Sequence, residues 1–247
     1  MIQLRAVLFA VYFFFLTLLM GIVAFPIRWL KKRGLALHYA QLWARLTLAG
    51  LTRICRIEID ISGLENIPAG PCLIASQHQS YFDGFVWMNL SQRPAYIIKR
   101  ELTRIPLVGP MLLLAGMVPV ERAAGAKALR DMMRRAQESF AENRQIIIFP
   151  EGTRTLPGER VPLQPGIVAL AKQSDVPIVP VATNSGAHWP RQGFLKYPGR
   201  IVIAIGKPIP TQAGRGALIG AITQAWEGLS HANNLPIPVD NSVGGTR

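Results

Sequence analysis

The chain has 247 residues, half of them hydrophobic and 17% charged, which excludes disorder as the main state and leaves room for one sizeable α/β domain. Lys and Arg number 27 against 14 Asp and Glu, a formal net charge of +13, so the chain seeks something anionic: nucleic acid, an acidic lipid surface or a phosphorylated substrate. Cys55 and Cys72 are too few for a disulfide scaffold and fit no CxxC metal or redox pattern. A reducing compartment is the simpler reading, and the hydrophobicity favours the lipid surface.

From Ala6 to Ile27 run 22 uncharged residues dense in Phe, Leu and Val. As a helix they measure about 33 Å, close to the hydrocarbon thickness of a bilayer. No Ala-x-Ala cleavage site follows, which argues against a signal peptide, and no polar face interrupts the stretch, which argues against a soluble core helix. Gly21 and Pro26 allow the segment to bend back. Arg28, Lys31, Lys32 and Arg33 form a basic cluster that belongs on the cytoplasmic side and places the following domain there. Leu35 to Ile54 reads as a second helix, apolar at Leu42, Trp43 and Leu46 and cationic at Arg45 and Arg53, as expected of a helix in the headgroup region. Residues 1–56 therefore read as membrane-anchoring helices, 57–230 as an α/β domain, and 231–247 as an extended or disordered tail.

From Ile57 onward short apolar runs alternate with helical patterns, which predicts a mixed, mainly parallel sheet flanked by helices. The strand candidates are Ile57–Ile61, Cys72–Ser76, Ala95–Ile98, Met117–Val120, Ile146–Phe149, Ile178–Ala182 and Ile201–Ile205. The clearest helix is Ala126 to Glu142, with Leu129, Met132, Met133, Ala136 and Phe140 on one face and Asn143 at its end. Asp83–Leu90, Gly166–Gln173 and Ala217–Leu229 fit three more.

Three patches can carry chemistry. In Gln77-His-Gln-Ser-Tyr-Phe-Asp83 an apolar strand delivers His78 into a polar turn, at the strand end where α/β folds place ligands. Asp83 can take the Nδ1 proton and leave Nε2 as a base; a plainer reading makes Asp83 a helix N-cap and His78 a loop residue. Phe149-Pro-Glu-Gly-Thr-Arg154 follows another apolar strand. Gly152 permits close backbone approach, Arg154 offers a planar fork for phosphate oxygens, and Glu151 can bind a hydroxyl or lock an Arg; the plainer reading is a turn with a Glu–Arg ion pair of little worth. Lys99, after one strand, and Arg122, after another, emerge on the edge that carries His78 and Arg154, and such convergence suits a phosphate; the plainer reading is cations that face solvent or anionic lipid. There is no HExxH, P-loop, GxGxxG or G-x-S-x-G, and the four histidines are too scattered for a metal site, so no metal is expected.

His78-x4-Asp83, Gly116-Met-Val-Pro-Val-Glu-Arg122, Phe149-Pro-Glu-Gly-Thr-Arg154 and Val176-Pro-Ile-Val-Pro-Val181, in this order and spacing, resemble the glycerolipid acyltransferase family, specifically the bacterial 1-acyl-glycerol-3-phosphate acyltransferases. The resemblance runs from about residue 34 to 210. Gln77 stands where many members have Asn, Thr155 where Ser is common, and Pro119 interrupts the second block. It implies acyl transfer from an acyl-CoA or acyl carrier protein thioester to a lysophospholipid, lysophosphatidic acid, with no cofactor and no covalent acyl-enzyme. It assigns His78 and Asp83 to catalysis, Lys99, Arg122 and Arg154 to the substrate phosphate, and Glu151, Gly152 and Thr153 to the acceptor-site turn. It also implies an N-terminal two-helix membrane motif, contact with membrane lipids and an inner-membrane location facing the cytoplasm. Glycerol-3-phosphate or lyso-ornithine lipid are alternative acceptors, and a non-catalytic protein binding anionic lipid is the rival class. Nucleic acid is not expected as a partner, because no aromatics interleave the cations.

Overall fold

The computed structural model describes residues 1–121, 125–211 and 214–238. Helix α1 (Ile2–Val23) is long and apolar enough to cross a membrane. The apolar stretch does not continue as one helix to Ile27: it breaks at Ala24, and a short helix α2 (Phe25–Trp29) carries Pro26 in its first turn, where a missing N–H costs nothing. Helix α3 (Arg33–Cys55) then returns along α1. The Tyr12 hydroxyl donates to the Leu46 carbonyl, Tyr39 to that of Met20, and the Trp43 indole to the Thr17 hydroxyl. A Cβ on Gly50 of α3 would lie 2.1 Å from the Tyr12 ring, so glycine sets that approach. The pair leaves one face of α1 uncovered, with Leu4, Val7, Leu8, Val11, Phe15 and Leu18 exposed at helical spacing. This apolar surface fits membrane association.

Among the described residues seven strands form one sheet: β1 (Ile57–Ser62), β2 (Cys72–Ser76), β3 (Pro94–Lys99), β4 (Val118–Val120), β5 (Gln145–Ile148), β6 (Ile178–Thr183) and β7 (Gly199–Ile205). Their order is β1-β7-β6-β2-β5-β3-β4. Every neighbouring pair is parallel except β6 and β7, as a mixed, mainly parallel sheet requires. The central strands are buried on both faces, which accounts for their unbroken apolar runs. Cys72 and Ile74 of β2 face a core shared with α1, α3, α4 (Asp83–Leu90) and α5 (Val108–Leu114). Leu73 and Ala75 face the opposite core, filled from α6 (Gly125–Ala141), α7 (Gly166–Ser174) and α9 (Arg215–Ala232). At the end of α6, Asn143 takes a positive φ of 60°, the left-handed stop that its short polar side chain tolerates.

Helix α9 continues through Ala232 rather than ending before His231, because Trp226 and Ser230 are still buried. Leu235 beyond it packs on Ala182 and Ala204. The rest of the expected tail, 239–247, lies outside the described residues, as does Arg122.

Candidate active site

Strand β2 is fully apolar until Ser76, so its polar continuation, Gln77 to Phe82, emerges at the C-terminal edge of the sheet. Gln77 is tied to β6, its amide oxygen accepting the Thr183 N–H at 3.0 Å. Gln79 is tied to the short helix α8 (Ser185–His188) through the Gly186 N–H. Between these anchors stands His78, whose Nδ1 lies 3.1 Å from Asp83 Oδ2. The same oxygen accepts the backbone N–H groups of Gln79 at 2.8 Å and Ser80 at 2.9 Å. Asp83 is therefore not an N-cap: it is the first residue of α4 proper, and its buried carboxylate turns back onto the loop. With this carboxylate as the acceptor, Nδ1 is the nitrogen that donates to it and Nε2 is the ring nitrogen left without that contact. The His78 side chain is 23% exposed against 3% for Asp83, so one partner meets solvent and the other does not.

Strand β5 lies beside β2 with Ile148 opposite Ala75, and this register brings the Phe149–Arg154 segment against His78. The Phe149 ring stacks on the imidazole, centroids 4.1 Å apart and planes 16° apart. Glu151 Oε2 accepts the His78 N–H at 2.6 Å and Oε1 accepts the Thr155 hydroxyl at 3.1 Å. The Thr155 N–H donates to the His78 carbonyl at 2.8 Å. Glu151 is a buried strut between two loops, and among the described residues it forms no ion pair with Arg154. Burial pushes its carboxyl up to about 8, opposed by the two hydrogen bonds and reinforced by the charges of Asp83 and Glu159. Gly152 holds φ at 73°, and a Cβ there would stand 3.0 Å from the Gln164 side chain. Thr153 is exposed, and Thr155, two residues on, makes the contacts to the loop.

The Arg154 guanidinium lies 3.9 Å over the Tyr81 ring. Its Nη1 is buried with no hydrogen-bond partner among the described residues, an arrangement that costs free energy unless an anion arrives. Lys99 is exposed at the end of β3 on the same sheet edge, two strand spacings or about 10 Å from β2. His78, Asp83, Glu151 and Arg154 are thus brought together, with Lys99 farther along the rim. The backbone N–H groups of His78, Gln79, Ser80 and Phe82 are donated to Glu151, Asp83, Asp83 and the Ser80 hydroxyl. Sequence reasoning missed Phe149, Tyr81 and Thr155 as site residues; Phe149 was visible as the ring ending the β5 run.

Fold and site together define an α/β protein with a His–Asp pair at the sheet's C-terminal edge and an apolar helical hairpin suited to a lipid surface. Residues 58–184 match the family model described as Acyltransferase. A 1-acyl-sn-glycerol-3-phosphate acyltransferase of Pseudomonas aeruginosa is 33% identical over 201 residues, 80% of this chain and 78% of that one. The human 1-acyl-sn-glycerol-3-phosphate acyltransferase beta is 33% identical over 157 residues, 62% of this chain and 56% of the human protein. The crystal structure of the 1-acyl-sn-glycerophosphate acyltransferase PlsC from Thermotoga maritima has the same fold, with a TM-score of 0.77 over 94% of this chain and 98% of that one at 20% identity. The chain belongs to the acyltransferase family.

Proposed function

We propose that the protein moves a fatty acyl group from acyl-CoA or acyl carrier protein to the sn-2 hydroxyl of 1-acyl-glycerol-3-phosphate, giving phosphatidic acid. The observation that carries this reading is the 3.1 Å contact from His78 Nδ1 to buried Asp83, which orients the ring and commits Nε2 to the acceptor. Nε2 takes the hydroxyl proton as the oxygen attacks the thioester carbonyl carbon. The tetrahedral oxyanion collapses, the C–S bond breaks as the ester C–O bond is kept, and the departing thiolate takes the proton from His78. No covalent acyl-enzyme and no cofactor enter this scheme. Arg154, whose buried Nη1 has no hydrogen-bond partner among the described residues, together with Lys99 and Arg122, holds the phosphate so that the hydroxyl meets the base; such positioning can supply several kcal/mol, roughly 7–11 at its ceiling. The relatives named for this reaction support the acceptor, and α1 supports a place at the inner membrane, with the catalytic domain facing the cytoplasm.

The test is an assay of detergent-purified protein with acyl-CoA or acyl carrier protein and lysophosphatidic acid, following thiol release and phosphatidic acid together. Wild type forms product and His78→Ala does not. Thiol release without phosphatidic acid refutes the acceptor and sends the assay to glycerol-3-phosphate and lyso-ornithine lipid, and full activity in His78→Ala refutes the base.

A further inference from the structure

We propose that Phe149 is a positioning residue for the base: stacked on His78, it fixes the plane of the imidazole and stabilises the ring while it carries the acceptor's proton. The inference rests on His78 being the base, as proposed above. One hydrogen bond, from Nδ1 to Asp83 Oδ2, fixes one atom of the ring and leaves it free to rock about that contact. A second restraint is needed to aim Nε2, and the 4.1 Å, 16° stack supplies it. The electron-rich aromatic face also attracts a cationic ring more than a neutral one, so the contact strengthens as the proton is transferred.

Phe149 is itself held firmly. It follows β5 directly and precedes Pro150, a neighbour that restricts its backbone to extended conformations. Its carbonyl accepts the Gly152 N–H at 3.0 Å, and the Pro150 carbonyl accepts the Gln164 N–H at 2.7 Å. Behind it stands buried Tyr96, with ring centroids 6.4 Å apart. The same segment grips the histidine main chain, Glu151 taking its N–H and Thr155 its carbonyl. Phe149, Glu151 and Thr155 therefore hold His78 at its ring, its N–H and its carbonyl.

The experiment compares Phe149→Leu, Phe149→Tyr and His78→Ala as full-length proteins in detergent, with acyl-CoA and lysophosphatidic acid varied separately. Leu keeps an apolar side chain but not the stacking face, and Tyr keeps the face. Phe149→Leu should lower kcat about ten- to a hundredfold, the scale of a misaimed catalytic group, with both KM values unchanged, while Phe149→Tyr stays close to wild type. Unchanged kcat in Phe149→Leu, a loss confined to KM, or an equal loss in Phe149→Tyr each overturns the inference. Where Phe149→Leu does not fold, Phe149→Met carries the same comparison. Full turnover in His78→Ala refutes the base itself, whereas a dead His78→Ala beside an unimpaired Phe149→Leu refutes only the role of Phe149.

Discussion

Replacing Glu151 by Gln tests whether a buried, uncompensated carboxyl underlies the His78 loop. Its carboxyl ionises near 4.5 in a free chain and is held up to about 8 by burial in the folded protein. Between those values the native state keeps a proton that the unfolded chain has lost. The sign follows from linkage: below pH 4.5 both states are protonated, and stability falls as pH rises from 4.5 to 8 and levels beyond. The displacement, about 3.5 pH units, corresponds to about 5 kcal/mol at its ceiling. Gln cannot ionise, yet its amide oxygen can accept the His78 N–H, and the Thr155 hydroxyl can turn to the His78 carbonyl, 3.3 Å away. Thermal unfolding in detergent from pH 4.5 to 9 reads the difference, because every other titrating group is common to both proteins. At roughly 2–4 °C per kcal/mol for a chain of this size, wild type should fall on the order of 10 °C relative to Glu151→Gln across the window. Parallel curves, or a gap that closes as pH rises, would falsify the assignment of a buried carboxyl without a cationic partner.

Three other substitutions have defined outcomes. Asp83→Asn keeps an oxygen for the Gln79 and Ser80 amides but removes the charge facing Nδ1; losing a charge-assisted bond of about 1.5–3 kcal/mol should cut kcat roughly ten- to a hundredfold, with KM little changed in steady-state assays. Arg144, buried and with its guanidinium pushed down to about 10 by desolvation, donates to the carbonyls of Pro94, Ala115 and Gly116. Arg144→Ala orphans all three and should cost about 3–5 kcal/mol, seen as a lower unfolding temperature without loss of kcat in the folded fraction. Arg154→Ala should raise the acceptor KM at least about tenfold and leave the donor KM alone, and Arg154→Lys should not restore it, because an ammonium lacks the planar fork stacked on Tyr81.

The strands were legible in the sequence because β1 alternates Ile with Glu and Asp and the others are short, mostly apolar runs, and the clearest helix because its apolar face repeats with helical period. Helix α5 was not legible. Its surroundings, Ile105-Pro-Leu-Val-Gly-Pro110, look like a broken loop, yet Pro110 falls in the first turn, where no N–H is needed. The turn before it forces Leu107 to a φ of 65°, with the Val108 N–H bonded to the Pro106 carbonyl, a three-residue turn that local propensity does not forecast. In the site, the His78–Asp83 contact was readable because it spans five residues. The Glu151 strut spans 73 residues and the Phe149 stack 71. Both exist because β5 lies beside β2 in a given register, which spacing along the chain does not encode.

The apolar helix α1 and the site are joined by the same logic of packed rings. Phe9 on the inner face of α1 is 1% exposed and meets Trp189 edge-on at 5.5 Å. Trp189 lies 6.1 Å from Tyr81, and the Arg154 guanidinium sits on Tyr81. Lys196 closes the joint, its buried ammonium placed within 5.6 Å of Phe9 and 5.2 Å of Trp189 and donating to the Phe194 carbonyl. Burial depresses its ionisation range, and the aromatic faces recover part of that cost. A tether has no need of a buried inner face, so α1 is part of the core as well as an apolar surface. Its outer face is an exposed apolar surface, while its inner face packs on Trp189, which backs the Tyr81 ring beneath the cation proposed to take the phosphate. One run of packed rings thus links the apolar helix to the cation beside the His78 loop, and the contacts that fold the protein also fix that cation's place.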